Sequence, residues 1–193
     1  VMKSYRVMGI VAALSLVCLV GMVQADTTNL VSNGDFTTDI AGWSGGFATW
    51  NDGSDGSPDG ASVRQTGLNW FYQPKTTSLV AGQTYKFSFL AALLDSNGNA
   101  LDETLAAHVA DSAGNPYGYV VAHLTSTWTE YSVQFTPTAA NVGNYGVAFL
   151  NSAAAYPVEF GGGGGVGGAD ASCVFGIDSV SLTAVPEPSA CAM

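Results

Sequence analysis

An all-β sandwich is the fold class this sequence predicts, and three observations predict it. Aromatic and β-branched residues recur at every second position in run after run, whereas no long stretch keeps a helical period. Turn-forming pairs punctuate those runs: Asn33-Gly34, Asp59-Gly60, Asn97-Gly98 and Gly143-Asn144. Composition agrees, for the 193 residues are 47% hydrophobic and 11% aromatic, only 10% charged, and include 24 Gly. Such a chain is too apolar for charge-driven disorder and suits an extracellular β-protein better than a cytosolic enzyme.

The strands follow in order. In Asn69-Trp70-Phe71-Tyr72-Gln73 an extended chain sends Trp70 and Tyr72 to one face and Phe71 to the other. After the turn Ala81-Gly82, Tyr85, Phe87, Phe89 and Ala91 alternate with Lys86, Ser88 and Leu90. The stretch 104–110 reads equally as strand or short helix. Tyr117, Tyr119, Val121 and His123 share a face of a strand bounded upstream by Gly114-Asn115-Pro116. Tyr131, Val133 and Phe135 form the next alternation, which Pro137 ends, and Tyr145, Val147 and Phe149 the one after. Eight or more short strands with this punctuation indicate a sandwich or jelly roll in a single domain, 26–184.

Both ends stand apart from that domain. Residues 1–25 are expected to be a signal peptide: Lys3 and Arg6 precede the uncharged apolar run 7–22, and Val23-Gln24-Ala25 offers small residues for cleavage. The run is too short to be read first as a membrane span, so the mature chain is expected to have none. Cys18 follows Leu16-Val17, a poor lipobox. Cleavage leaves three bases, Arg64, Lys75 and Lys86, against all 15 acids. That balance excludes a basic footprint for nucleic acid. Of three cysteines, Cys173 and Cys191 remain, the second in the terminal tail, and they make no disulfide scaffold.

Val185-Pro186-Glu187-Pro188-Ser189 resembles the Pro-Glu-Pro sorting signal of exosortase substrates, the PEP-CTERM proteins. In that family a hydrophobic span and a basic cluster follow; here 185–193 reads as a truncated remnant. The resemblance implies a bacterial protein, secreted or at the cell surface, with exosortase-type sorting machinery as a partner. Asn29-Leu30-Val31-Ser32-Asn33-Gly34-Asp35-Phe36, followed by Gly42-Trp43, resembles the opening of carbohydrate-binding modules of the galactose-binding-like jelly-roll group. Gln73, then Leu79-Val80-Ala81-Gly82-Gln83-Thr84-Tyr85-Lys86-Phe87-Ser88-Phe89, is similar to that group's central strand pair. Thr127-Trp128-Thr129-Glu130-Tyr131 with Phe135, and Phe175-Gly176-Ile177-Asp178-Ser179-Val180-Ser181-Leu182, complete the order over about residues 28–183.

That likeness implies a structural Ca2+ between the first strand region and an aspartate of the last strand, with Asp35 and Asp178 as its ligands. The acids Asp26, Asp35, Asp39, Asp52, Asp55 and Asp59 crowd residues 26–63 without a base, which favours a cation. The competing reading is that Asp35 and Asp59 only shape turns and that Asp178 bonds backbone amides. Sugar recognition sets aromatic faces against C–H patches, and Trp50, Trp70, Tyr72, Tyr117 and Tyr119 are the candidates, although any one of them could instead be core.

Other motifs dissolve on inspection. Gly42-Trp43-Ser44-Gly45-Gly46 fits a nucleophile elbow but lacks the strand–turn–helix that the elbow needs. The glycine run 161–168 matches a dinucleotide pattern trivially, with no helix after it. His108 and His123, the only histidines, have no zinc-ligand spacing and read as ordinary structural or surface residues. Glu103, Glu130 and Glu159 form no recognisable acid/base pair. The expectation is therefore a secreted, non-catalytic carbohydrate-binding module for a polysaccharide of the extracellular matrix or envelope. A structural or adhesive matrix protein without a sugar site is the alternative, and a glycan-active enzyme a lesser one.

Overall fold

Alternate side chains of an extended chain face opposite ways, so each alternating run can give one face to a core and the other to water. The computed structural model describes residues 28–66, 70–95, 103–111, 116–138, 144–150 and 173–186. The expectations for the leader 1–25, Asn97-Gly98, the glycine run and the end of the Pro-Glu-Pro motif fall outside those residues. Ten strands lie within them: β1 (Ser44–Gly45), β2 (Ala48–Asn51), β3 (Ser62–Thr66), β4 (Trp70–Ser78), β5 (Tyr85–Asp95), β6 (Glu103–Asp111), β7 (Pro116–Leu124), β8 (Thr129–Phe135), β9 (Asn144–Leu150) and β10 (Val174–Ala184). They form two five-stranded antiparallel sheets, β1-β4-β9-β6-β7 and β2-β3-β10-β5-β8, with no helix among the described residues. The expected jelly-roll sandwich is what forms, and the ambiguous stretch 104–110 is strand β6.

Phenylalanines fill the space between the sheets. Phe149 of the first sheet meets Phe87 and Phe89 of the second, edge-on to Phe89 at a centroid distance of 5.0 Å. Phe71 lies beside Phe149, and Trp43 stacks on Phe71 at 4.8 Å and 10°. Fully burying one such ring contributes roughly 1.5–3 kcal/mol. On β7 the core takes the small residues Gly118, Val120, Ala122 and Leu124, while Tyr119 and Val121 alternate to the other face. Gly118 is small for a reason, since a Cβ there would stand 2.4 Å from the Phe135 ring.

The opening segment has no strand of its own and is held by side chains. Buried Gln73 accepts from the Ser32 N–H through Oε1 (3.0 Å) and donates Nε2–H to the Ser32 carbonyl (2.7 Å). The Trp43 indole N–H reaches the carbonyls of Ser32 and Asn33. Val180 N donates to the Gly34 carbonyl at 2.8 Å, and Leu30 N to Leu182 O at the same distance. Those bonds draw residues 29–36 onto β10, which is already flanked by β3 and β5.

Two glycines permit the close approaches. A Cβ on Gly34 would lie 2.1 Å from the Val180 carbonyl oxygen, and one on Gly176 would lie 2.4 Å from the Trp128 ring. Backbone cannot retreat as a side chain can. Gly34→Ala is therefore expected to cost more than Gly176→Ala, with about 1–3 kcal/mol lost at Gly176 and a larger loss at Gly34. Urea titration of both variants checks the order.

Candidate functional site

Because Phe71, Phe149 and Ala107 face the core, their neighbours along each strand face away from it. Register then aligns them across the first sheet. Ser44 stands opposite Tyr72, Tyr72 opposite Ala148, Ala148 opposite His108, and His108 opposite Tyr119. Two tyrosines thus bracket an alanine and a histidine over three interstrand steps, roughly 14 Å. The next row on the same face runs Trp70, Leu150, Ala106, Val121, and on the other side Gly146 pairs with Ala110. Ala106, Ala110 and Ala148 are buried, whereas Tyr72 keeps 42% of its surface exposed. Small side chains form a low floor beneath taller aromatic ones. No residue in these rows is charged.

Burial favours the neutral forms of His108 and Tyr119. Burial pushes the His108 imidazole down from 6.5 to about 4, so it is neutral at ordinary pH, with one nitrogen to donate and one to accept. Burial also raises the Tyr119 phenol to about 12. The face is built to hydrogen-bond without charge.

A different chemistry gathers on the outer side of the second sheet. The register shifts between Asp178 and Ser181, where Ser179 takes φ 50, and this irregularity aims the Asp178 side chain beneath the turns of residues 52–60. Three serine–aspartate pairs meet there: Ser57 donates to Asp178 Oδ2, Ser62 to Asp55 Oδ2 and Ser179 to Asp59 Oδ2. The Ser179 N–H donates to Asp178 Oδ1 at 2.6 Å. Trp128 lies across Gly176 and gives its indole N–H to the Asp55 carbonyl at 3.3 Å. Asp178 is fully buried, and desolvation first, then the nearby Asp59 and Asp55 charges, raises its carboxyl to about 6 against the pull of the Ser57 and Ser179 bonds.

The model of the CBM_4_9 family, described as a carbohydrate binding domain, matches residues 28–149. The chain belongs to that family. No curated protein matches it. Among solved structures, this carbohydrate-binding domain resembles TmCBM61 in complex with β-1,4-galactotriose, with TM-score 0.56, 16% identity, and 82% of this chain and 100% of that one covered. It also resembles the CBM22-1 xylan-binding domain of Paenibacillus barcinonensis Xyn10C, with TM-score 0.58, 14% identity and coverages of 85% and 99%. A Stig cyclase, Fisc, from Fischerella sp. TAU matches at TM-score 0.59 and 14% identity, with coverages of 84% and 99%. At these identities the likeness is one of fold, and a fold that also houses a cyclase does not choose between binding and catalysis.

Of the aromatic candidates, Tyr72 and Tyr119 share the outer row, and Trp70 pairs with Leu150 in the row beside it. Trp50 stands elsewhere: it pairs with Val63 at the edge of the second sheet and donates its indole N–H to the Phe36 carbonyl at 2.7 Å. Tyr117 stacks on Phe135 at 6.2 Å and 9°, packed against the core. His108, read from the sequence as an ordinary structural or surface residue, is buried and is the one polar side chain of the row between the two tyrosines. Alternation alone puts it on a face with Ala106 and Ala110, but only pairing with β7 and β9 brings it beside Tyr119.

The Asp178 site offers oxygen donors alone, from carboxylates, hydroxyls and backbone carbonyls. That set suits a hard cation such as Ca2+ and not zinc or copper. As they stand, no three His, Cys, Asp or Glu side chains among the described residues converge as a ready ligand set, so hydroxyls and carbonyls would have to complete a shell. Asp35 is exposed, in the turn whose Gly34 carbonyl is bonded to Val180. The charges felt at Asp178 come instead from Asp55 and Asp59.

His108 makes stability depend on pH. The unfolded chain takes up its proton near 6.5 and the folded chain only near 4, so between those values the unfolded state binds more protons and stability falls on acidification. Asp178 acts in the opposite sense over much of that range, so the variant isolates the imidazole. Denaturation midpoints between pH 7 and pH 4 should fall more steeply for the wild type than for His108→Gln.

Proposed function

We propose that this carbohydrate-binding domain is a secreted, non-catalytic module that holds a polysaccharide of the matrix or envelope across the outer face of its first sheet. The observation that carries this reading is the uncharged row from Tyr72 through Ala148 and His108 to Tyr119. Sugar rings present C–H patches to aromatic faces, of which the row supplies Tyr72, 42% exposed, and Tyr119. Hydrolysis of a glycosidic bond would call for a pair of carboxyl groups at the sugar. The rows of this face contain none, which supports binding over catalysis.

Ca2+ belongs to this reading as a structural ion. Asp178 would hold it, with Asp55 and Asp59 as the nearest further carboxylates and the Ser57, Ser62 and Ser179 hydroxyls beside them. A bound cation would relieve the mutual repulsion of these acids and so fasten the turns of residues 52–60 to β10. The apolar leader-like run and the Val185-Pro186-Glu187-Pro188 motif support export from a bacterial cell, with an exosortase-type system as the sorting partner.

Migration in native gels containing soluble polysaccharides tests the binding reading; β-linked galactans and xylans are the first panel because the relatives above were solved with, or described by, such ligands. Retardation is expected, and Tyr72→Ala or Tyr119→Ala should weaken it about threefold to tenfold by removing one stacked ring. No retardation on any glycan, together with concentration-dependent self-association, would replace this reading with that of a structural matrix protein. For the ion, millimolar Ca2+ should raise the melting temperature of chelator-treated protein by several degrees, and Asp178→Asn should abolish the rise. Equal melting temperatures with Ca2+ and chelator would sink the metal.

A further inference from the structure

Phe47 is the most exposed large apolar side chain of the described residues, at 69%. It is also one of the few non-glycine residues with a left-handed backbone, at φ 64. An L-residue with a bulky side chain avoids that region because its Cβ crowds the following carbonyl. Neither feature serves folding: the ring gains nothing from burial, and glycine would adopt the same turn without strain. The conformation is nevertheless pinned, for the Thr66 N–H donates to the Phe47 carbonyl at 3.2 Å and the Thr66 hydroxyl reaches the same oxygen at 3.5 Å. Strain held in place at an exposed aromatic is a reason to look for a ligand.

The fold says which ligand. Gly46 and Phe47 are the corner at which the chain leaves β1 in the first sheet and enters β2 in the second. β1 is the edge strand of the first sheet, and its Ser44 stands opposite Tyr72 in the row described above. Phe47 therefore stands three residues past Ser44 in the chain, at the turn that joins the first sheet's edge strand to the second sheet.

We propose that Phe47 is a ligand-contacting residue that stacks on a sugar ring of the polysaccharide beyond Tyr72 and so lengthens the binding face past the edge of the sheet. The inference rests on the glycan-binding reading of the first sheet. Phe47→Gly tests it, because this substitution removes the ring and relieves the backbone in one step. The full chain and the variant are compared in the same polysaccharide gels, with melting temperatures measured in parallel and Val80→Ser, an exposed apolar residue of the β4–β5 connection, as control.

The expected result is a threefold to tenfold loss of affinity in Phe47→Gly, an unchanged or higher melting temperature, and no effect of Val80→Ser. A wild type that is retarded and a Phe47→Gly variant retarded equally would overturn the role of Phe47 while leaving the sheet face intact. Loss of self-association in the variant with glycan affinity unchanged would overturn it too, assigning the ring to contact with a second copy. A wild type that binds no glycan overturns both readings together. A variant whose melting temperature falls would show that the ring supports the fold, against the premise.

Discussion

β10, the last strand of the domain in sequence, lies in the interior of the second sheet between β3 and β5. Much of the architecture waits on that insertion. Until β10 is in place, β3 and β5 have no shared neighbour, and the opening segment keeps its Gln73 bonds but lacks its backbone anchors, since Leu30 and Gly34 both bond to β10. Asn29 makes the same junction twice, accepting from Leu182 N through Oδ1 and donating Nδ2–H to Val180 O. A sandwich closed by joining its two ends is dominated by contacts distant in sequence, which ties the integrity of the whole domain to one strand.

The two outer faces of the sandwich have diverged because of what covers them. On the second sheet, Trp128 lies on Gly176 and the turns of residues 52–60 bury Asp178, so that side is closed around a polar knot. Three serines satisfy three aspartates there, and a buried carboxylate without such partners would be severely destabilising. On the first sheet the corresponding surface is a row of neutral side chains with a low floor of alanines. The first face is neutral along this row, whereas the second gathers carboxylates.

Charge separates the two regions as well. Asp52, Asp55 and Asp59 lie in the connection between β2 and β3 of the second sheet, whereas the row that links Tyr72 to Tyr119 belongs to the first. Neutral polar groups cost far less to desolvate than charged ones. A strongly acidic chain in this way keeps one row of its first sheet neutral.

Residue order alone determined β4, β5 and β7 to β9 and the sides of most of their residues. Phe87 had to face inward because Lys86 and Ser88 flank it, Phe89 follows it and Phe149 follows Val147 by alternation, and Phe71 and Tyr72 had to part company because adjacent side chains on a strand do. Gly34, Asp178 and the Tyr85–Phe89 run were recognisable as parts of a jelly roll from their order and spacing. Register between distant strands was not, because pairing across a sheet is chosen by packing of the whole sandwich and not by any local period. So the union of Tyr72, His108 and Tyr119 in one row, the placing of Trp50 and Tyr117 elsewhere, and the approach of Asp55 and Asp59 to Asp178 were decided only when four strands, or a turn and a strand far apart in the chain, met in space.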